Sequence, residues 1–118
     1  MNNKEIALFI ARALNEKKAR DIVILDIGTT SGFADYCVIA SAGSQRQMKA
    51  LSEEVEDRLA EADTLVRHIE GKGDSGWILM DYGDVIVNIF TDEQRQHYQI
   101  EKIWNDCPVV DHPFNDFQ

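Results

Sequence analysis

Residues 77–90 read WILMDYGDVIVNIF, and this stretch decides the fold of the chain. It consists of two apolar runs, 77–82 and 85–90, separated by Gly83 and Asp84. Each run has the length of a strand, and Val, Ile, Phe and Trp favour pleated structure. A Gly-X pair suits a two-residue hairpin turn, because glycine accepts the positive φ that such a turn requires. The stretch therefore predicts a β-hairpin.

Both faces of the predicted hairpin are apolar. Side chains alternate along a strand, so Trp77 and Leu79 point one way while Ile78, Met80 and Tyr82 point the other. A sheet that is apolar on both faces needs cover on both, from its own helices or from another protein. The hairpin thus indicates either a sheet between two layers or a surface for a partner.

Capping signals predict three helices outside the hairpin. They begin after Asn2 or Asn3, at Ser44 with Gln47 as its capping-box partner, and at Thr91 with Gln94. The second helix is expected to run to about Ala62, and the third to include Tyr98 and extend towards Trp104.

Three further apolar runs, at 22–27, 36–40 and 65–70, predict strands, and the composition of 28–32 predicts a loop. This order of elements predicts an α/β protein with a mixed five-stranded sheet flanked by helices. At 118 residues the chain is expected to form a single domain over residues 1–104. Residues 105–118, which contain both prolines, are expected to form a tail that is mobile or lies on the surface.

The charge balance points away from nucleic acid and membranes. The chain has 21 acidic and 12 basic residues and a formal net charge of −9. Such a chain repels nucleic acid and anionic lipid and attracts a basic protein surface. Cys37 and Cys107 form no disulfide framework, which fits a reducing, cytoplasmic location. The N-terminal apolar run is too short and too charged for a secretion signal or a membrane span.

Two motifs resemble nucleotide sites but lack their context. Residues 71–76 fit the GxGxxG pattern, yet they lead into strand sequence, whereas that motif needs a following helix to hold a phosphate. Gly43-Ser44 followed by Glu54-Val55-Glu56 resembles a nucleotidyltransferase pattern. These acids fall in a predicted helix, where residues two apart diverge and cannot share a metal ion. Both are interpreted as structural.

Asp35, Asp81 and Asp84 form the remaining candidate for a metal site, since Asp81 and Asp84 flank the hairpin turn. The alternative is that Asp84 serves the turn and Asp81 ends a strand. The histidines and Cys37 carry no ligand or nucleophile pattern: His68, His97 and His112 fall in different elements, and Cys37 has no partner base. No catalytic constellation remains, and neither a cofactor nor a metal is expected.

Several segments together resemble one known family. They are DIVILD at 21–26, ADY at 34–36, SQRQ at 44–47, EG at 70–71, WILMDYGDVIV at 77–87, and the helix with Tyr98 and Trp104. In these segments the chain resembles the ribosomal silencing factor family, called RsfS or Iojap. The resemblance runs from the first helix to Trp104, and Asn88 stands where the family often carries histidine.

The resemblance implies a nucleotidyltransferase-like fold without catalysis. It also implies docking on the large ribosomal subunit through the basic ribosomal protein numbered fourteen, at the face that the small subunit joins. A protein bound there would obstruct subunit joining and repress translation when nutrients are scarce. The resemblance further suggests a homodimer away from the ribosome, and the charge balance predicts no direct nucleic-acid specificity.

The family motif centres on the hairpin, so the partner-binding residues are expected to lie there. Trp77 is interpreted as the anchor, with Tyr82 beside it and with Asp81 and Asp84 facing basic groups, because tryptophan and tyrosine are favoured at interfaces. The alternative for Trp77 is a place in the core. Two other functions stay open: a nucleotidyltransferase using Asp35, Asp81 and Asp84, and a plain dimerisation domain.

Overall fold

The computed structural model describes residues 1–71 and 75–114, which form one mixed sheet with helices packed on it. Its elements in chain order are α1 (Asn3–Glu16), β1 (Arg20–Asp26), α2 (Gly28–Ser31), β2 (Tyr36–Ala42), α3 (Gln45–Glu61), β3 (His68–Glu70), β4 (Trp77–Asp81), β5 (Val85–Thr91), α4 (Asp92–Tyr98) and a 3-10 helix (Ile100–Lys102).

The sheet has the order β1-β2-β5-β4-β3. Strands β2 and β5 are parallel, and the other neighbours are antiparallel, so the predicted mixed five-stranded sheet is confirmed. The most continuously apolar strands are central, as expected for strands that are covered on both faces. The edge strand β3 has only three residues, and is therefore shorter than the predicted strand at 65–70.

The predicted hairpin is confirmed as β4 and β5. Asp81 lies opposite Ile86, and the Tyr82 N–H donates to the Val85 carbonyl at 3.0 Å. Gly83 has φ of +89°, so it adopts the positive φ that the predicted turn requires.

Helices α1 and α3 cover one face of the sheet, which we call the helix-covered face. The Asn2 side chain accepts the Glu5 N–H at 2.8 Å, and the Glu5 carboxylate accepts the Asn2 N–H at 2.9 Å, so the first helix begins with a complete capping box. The predicted cap at Ser44 is also present, but the Gln47 side chain accepts the Gly43 N–H and not the Ser44 N–H that a capping box would use.

The helix-covered face contains most of the buried core. Each fully buried Leu or Ile contributes roughly 1.5–3 kcal/mol of transfer free energy. Those on this face include Ile10, Leu14, Ile24, Leu51, Leu59, Ile78 and Ile89.

The opposite side of the sheet, which we call the second face, is covered by the chain after β5. The prediction that the third helix extends towards Trp104 is wrong, because α4 ends at Tyr98 and Gln99 is left-handed, with φ of 48°. In a continuous helix, Tyr98 and Ile100 would lie about 200° apart around the axis. The break at Gln99 lets Tyr98 pack on Trp77 while Ile100 packs on the second face.

The expected tail follows the outer edge of β1 as far as Phe114. The Asp26 N–H donates to the Pro108 carbonyl at 2.9 Å, and the Val110 N–H donates to the Ile24 carbonyl at 2.8 Å. Cys107 is buried. This part of the tail thus lies on the surface with fixed partners rather than detached from the domain, while residues 115–118 are outside the described range.

Two predicted loops have different outcomes. Gly28–Ser31 forms one helical turn instead of a loop, because the Ile27 carbonyl accepts the N–H groups of Thr30 and Ser31, at 3.0 and 2.8 Å. The loop predicted at 71–76 includes residues 72–74, which lie outside the described residues. Its ends, Gly71 and Gly76, both have positive φ.

Candidate partner-docking patch

The second face is well covered over β1 and β2 and less so over β4. Leu25, Cys37 and Ile39 are buried there, whereas Trp77 and Leu79 on β4 are only partly buried. Side chains alternate along β4, so Trp77, Leu79 and Asp81 share this face. The apolar surface of the hairpin is therefore only partly buried at this end of the sheet.

Three aromatic rings meet at this end. Trp77 stacks on Phe90 with ring centroids 5.1 Å apart, and its other neighbour, Tyr98, lies at 4.7 Å. Phe90 is fully buried, whereas Tyr98 is 44% exposed. Trp77 is therefore partly buried against the core, through its contact with Phe90, and partly accessible, and its role as an anchor stays a prediction. We call Trp77, Leu79 and Tyr98 the docking patch.

A buried polar chain lies beneath the docking patch. The Trp77 indole N–H donates to Asn88 Oδ1 at 2.9 Å, and Asn88 Nδ2 donates to Cys37 Sγ at 3.4 Å. Burial raises the pKa of the Cys37 thiol to about 12, so this residue stays a protonated core thiol, as predicted. Sequence reasoning missed the role of Asn88, although a single amide in an apolar strand is a signal for a satisfied buried partner.

A small cavity adjoins the patch and carries negative charge at its edge. Its volume is about 210 Å³, and Glu70, Gly71, Ser75, Trp77 and Leu79 line it. Glu70 pairs with Leu79 in the sheet, and its carboxylate accepts from His68 Nε2 at 2.9 Å. The cavity has the size of a single side chain.

The four predicted partner-binding residues do not form one site. Asp81 shares the face of Trp77, and its carboxylate accepts the Gly83 N–H at 2.7 Å, so it serves the turn. Tyr82 is buried on the helix-covered face, so it cannot lie beside Trp77. Asp84 is exposed at the turn. Asp81 and Asp84 were expected to face basic groups, and the Arg67 guanidinium of the same chain lies next to Gly83, between them in the sequence.

Among the carboxylates considered for catalysis, Asp35 and Asp84 are neighbours, because the Asp35 N–H donates to the Asp84 carbonyl oxygen at 2.8 Å. Asp35 accepts from Asn3 Nδ2 at 2.8 Å, and Asp81 is engaged in the turn. Glu54 and Glu56 lie on α3, where Glu54 pairs with Arg58 at 2.5 Å. Among residues 1–71 and 75–114, no three His, Cys, Asp or Glu side chains form a group that could hold a metal ion.

The hydroxyl of Tyr82 gives a prediction about stability. Tyr82 Oη is buried and has no hydrogen-bond partner among the described residues, and burial raises its pKa. An unsatisfied buried hydroxyl costs about 1–3 kcal/mol. We therefore expect Tyr82→Phe to raise the free energy of unfolding by about 1 kcal/mol in urea titrations. Tyr98→Phe, at a tyrosine that is 44% exposed, is the matched control and should change little. A loss of stability in Tyr82→Phe would contradict the expectation.

The fold and the patch define a class, namely small α/β domains with one mixed sheet and a partly open aromatic face. Within it, the chain belongs to the family described as ribosomal silencing factor during starvation, which matches residues 1–117. That match extends beyond the expected boundary at Trp104.

Individual relatives agree with the family assignment. The chain is 38% identical to ribosomal silencing factor RsfS of Bacillus subtilis over 97% of both chains. It is 31% identical to the chloroplastic protein Iojap of Zea mays, covering 92% of this chain and 47% of that protein. A crystal structure of a Chromobacterium violaceum protein superposes with a TM-score of 0.86 at 30% identity, covering 99% of this chain and 98% of the other. None of the described helices is long and apolar enough to span a membrane.

Proposed function

We propose that this protein represses translation by binding the large ribosomal subunit through the basic ribosomal protein numbered fourteen, and so blocks the joining of the small subunit. The observation that carries the proposal is the family match over residues 1–117. The name of the mouse relative, mitochondrial assembly of ribosomal large subunit protein 1, associates that protein with the same subunit.

The docking patch has the chemistry that such a contact needs. Trp77 and Tyr98 offer a large aromatic area on a rigid sheet, and such residues supply much of the binding free energy at interfaces. Glu70 and Asp81 lie on the same face as Leu79, and the chain carries a net charge of −9. These charges would attract a basic partner and fix its orientation, which acts mainly on the association rate.

Obstruction follows from the size of the domain. Its Cα atoms extend over 33 × 33 × 27 Å. Two surfaces that are in direct contact approach within about 4 Å of each other, which is much less than the smallest extent of this domain, 27 Å. A body of this thickness bound at the joining face would hold the two subunits apart without any chemical step. Neither a nucleotide nor a metal is required for this mechanism.

Sedimentation with separated ribosomal subunits tests the proposal directly. We expect the protein to pellet with the large subunit and not with the small one, and to do so equally well after treatment with a chelator. Higher salt should chiefly slow association, because the charges act on the encounter. Equal association with both subunits, or with neither, would refute the proposal.

The turn carboxylates give a further prediction. We expect Asp81→Asn with Asp84→Asn to weaken subunit binding by up to about 1 kcal/mol, a rim-charge effect, and to leave the fold intact. The amide at residue 81 keeps an oxygen to accept the Gly83 N–H. Glu54→Gln with Glu56→Gln on α3 removes the same charge from the other side of the sheet and should leave binding nearly intact. Comparable losses in the two variants would show that only net charge matters.

We infer in addition that the protein is a homodimer when it is away from the ribosome, in the cytoplasm. An apolar patch on a sheet also suits self-association, so dimer formation would compete with docking. Sedimentation velocity over a range of concentrations measures this equilibrium, and adding large subunits should shift it towards monomer. A dimer that stays intact on the subunit would exclude the competition.

A further inference from the structure

The orientation of Trp77 depends on a residue that is itself inaccessible. Asn88 is 4% exposed on β5, and its Oδ1 accepts the Trp77 indole N–H at 2.9 Å. The indole N–H is the only hydrogen-bonding group of the tryptophan side chain, and it can only donate. The one polar group of the Trp77 ring is therefore already hydrogen-bonded within the chain.

Asn88 is itself held by a hydrogen bond, and the Trp77 ring contacts two further aromatic side chains. Asn88 Nδ2 donates to Cys37 Sγ at 3.4 Å, so both ends of the amide have a partner, and the donor-only indole requires the oxygen end to face Trp77. Phe90 stacks on the indole with an interplanar angle of 25°, and Tyr98 contacts it at 4.7 Å. Turning the indole would break the bond to Asn88 and the stacking on Phe90 together.

We propose that Asn88 is a positioning residue that preorganises Trp77 for docking, so that Trp77 meets its partner only through the carbon surface of its ring. This inference rests on the proposed function. A side chain already fixed in its bound orientation loses less freedom on binding, which lengthens the life of the complex. It also follows that a phosphate or carbonyl oxygen of the partner finds no donor at Trp77, whereas an aliphatic or cationic group finds a suitable surface.

Asn88→Leu tests the proposal, because leucine fills a similar volume without an acceptor. The first measurement is hydrogen exchange of the Trp77 indole N–H by NMR in the free protein, with the Trp104 indole as internal reference. We expect the Trp77 exchange rate to rise about tenfold relative to Trp104. The second is the dissociation rate from isolated large subunits, which we also expect to rise about tenfold.

Val87→Ala is the matched control. Val87 is the neighbour of Asn88 on β5, is buried, and points to the helix-covered face. This variant should lower the melting temperature but leave the relative exchange of Trp77 and the dissociation rate unchanged. If Val87→Ala accelerates dissociation as much as Asn88→Leu does, the effect is general destabilisation and the proposal is wrong. Asn88→His, which restores an acceptor nitrogen, should recover slow exchange and slow dissociation.

The two measurements separate this inference from the proposed function. Unchanged exchange in Asn88→Leu overturns the positioning role of Asn88, and so does faster exchange with unchanged dissociation. In either case Trp77→Ala still tests the docking patch. If Trp77→Ala itself leaves subunit binding intact, Trp77 is not a contact, and preorganisation for docking is excluded together with that part of the proposed function.

Discussion

Trp77→Ala is expected to weaken binding to the large subunit by at least about 2 kcal/mol, which corresponds to roughly thirtyfold in the dissociation constant. The variant removes the largest side chain of the docking patch and its contacts with Phe90 and Tyr98. Because Trp77 is only partly buried, we expect the free energy of unfolding to fall by about 1–2 kcal/mol, less than the 3–5 kcal/mol typical of a buried aromatic residue. Subunit titration and urea unfolding measure the two quantities.

Trp104→Ala provides the comparison for this expectation. Trp104 is also partly buried on the second face, where its ring lies 6.1 Å from that of Phe33 and not in the docking patch. It should cost similar stability and leave subunit binding nearly unchanged. If Trp104→Ala impairs binding and Trp77→Ala does not, the contact lies at the Phe33 end of this face.

Gly71→Ala is expected to have the largest effect on stability, about 3 kcal/mol. Gly71 has φ of +83°, and a Cβ added there would lie 1.9 Å from the Trp77 carbonyl oxygen. The left-handed conformation alone costs an ordinary residue about 1–2 kcal/mol. The rest comes from displacing the start of β4, and this should also weaken subunit binding because Trp77 moves. Urea unfolding and subunit titration detect both losses.

The matched control for Gly71 is Gly32→Ala. Gly32 has φ of +74°, and no atom lies within 4 Å of an added Cβ. This variant therefore carries the conformational cost without the clash, and we expect about 1 kcal/mol. Equal losses in the two variants would mean that β4 yields to the added methyl group, and that the backbone at Trp77 is not rigid.

The hairpin was predictable because its signals are local. Two apolar runs and a Gly-X pair specify the strands, the turn and the alternation of side chains within fourteen consecutive residues. The end of α4 was not predictable in this way, because the helical pattern of residues 92–104 continues past Gln99. What ends the helix is the need of Tyr98 and Ile100 to reach the same sheet face, which is a tertiary constraint.

The candidate site was also predictable only where its signals are local in the sequence. Trp77 could be chosen from its place at the start of the hairpin, but its neighbours Tyr98 and Asn88 come from other elements. Tyr82 is close to Trp77 in sequence but lies on the helix-covered face, opposite to the face of Trp77. The alternation of side chains along β4 already implied this. Arg67, which lies over the acidic turn, is placed there by the edge strand β3 and not by any local motif.

The segment along β1 has a consequence for solubility. An edge strand with free backbone groups is a template for a strand of another molecule, and such pairing leads to aggregation. Here Pro108 and Val110 occupy part of that edge, while the opposite edge strand, β3, is only three residues long. Pro113 lacks an N–H, which shortens the part of this segment that could serve as a template in turn. The chain can thus keep an apolar patch accessible without polymerising through its sheet.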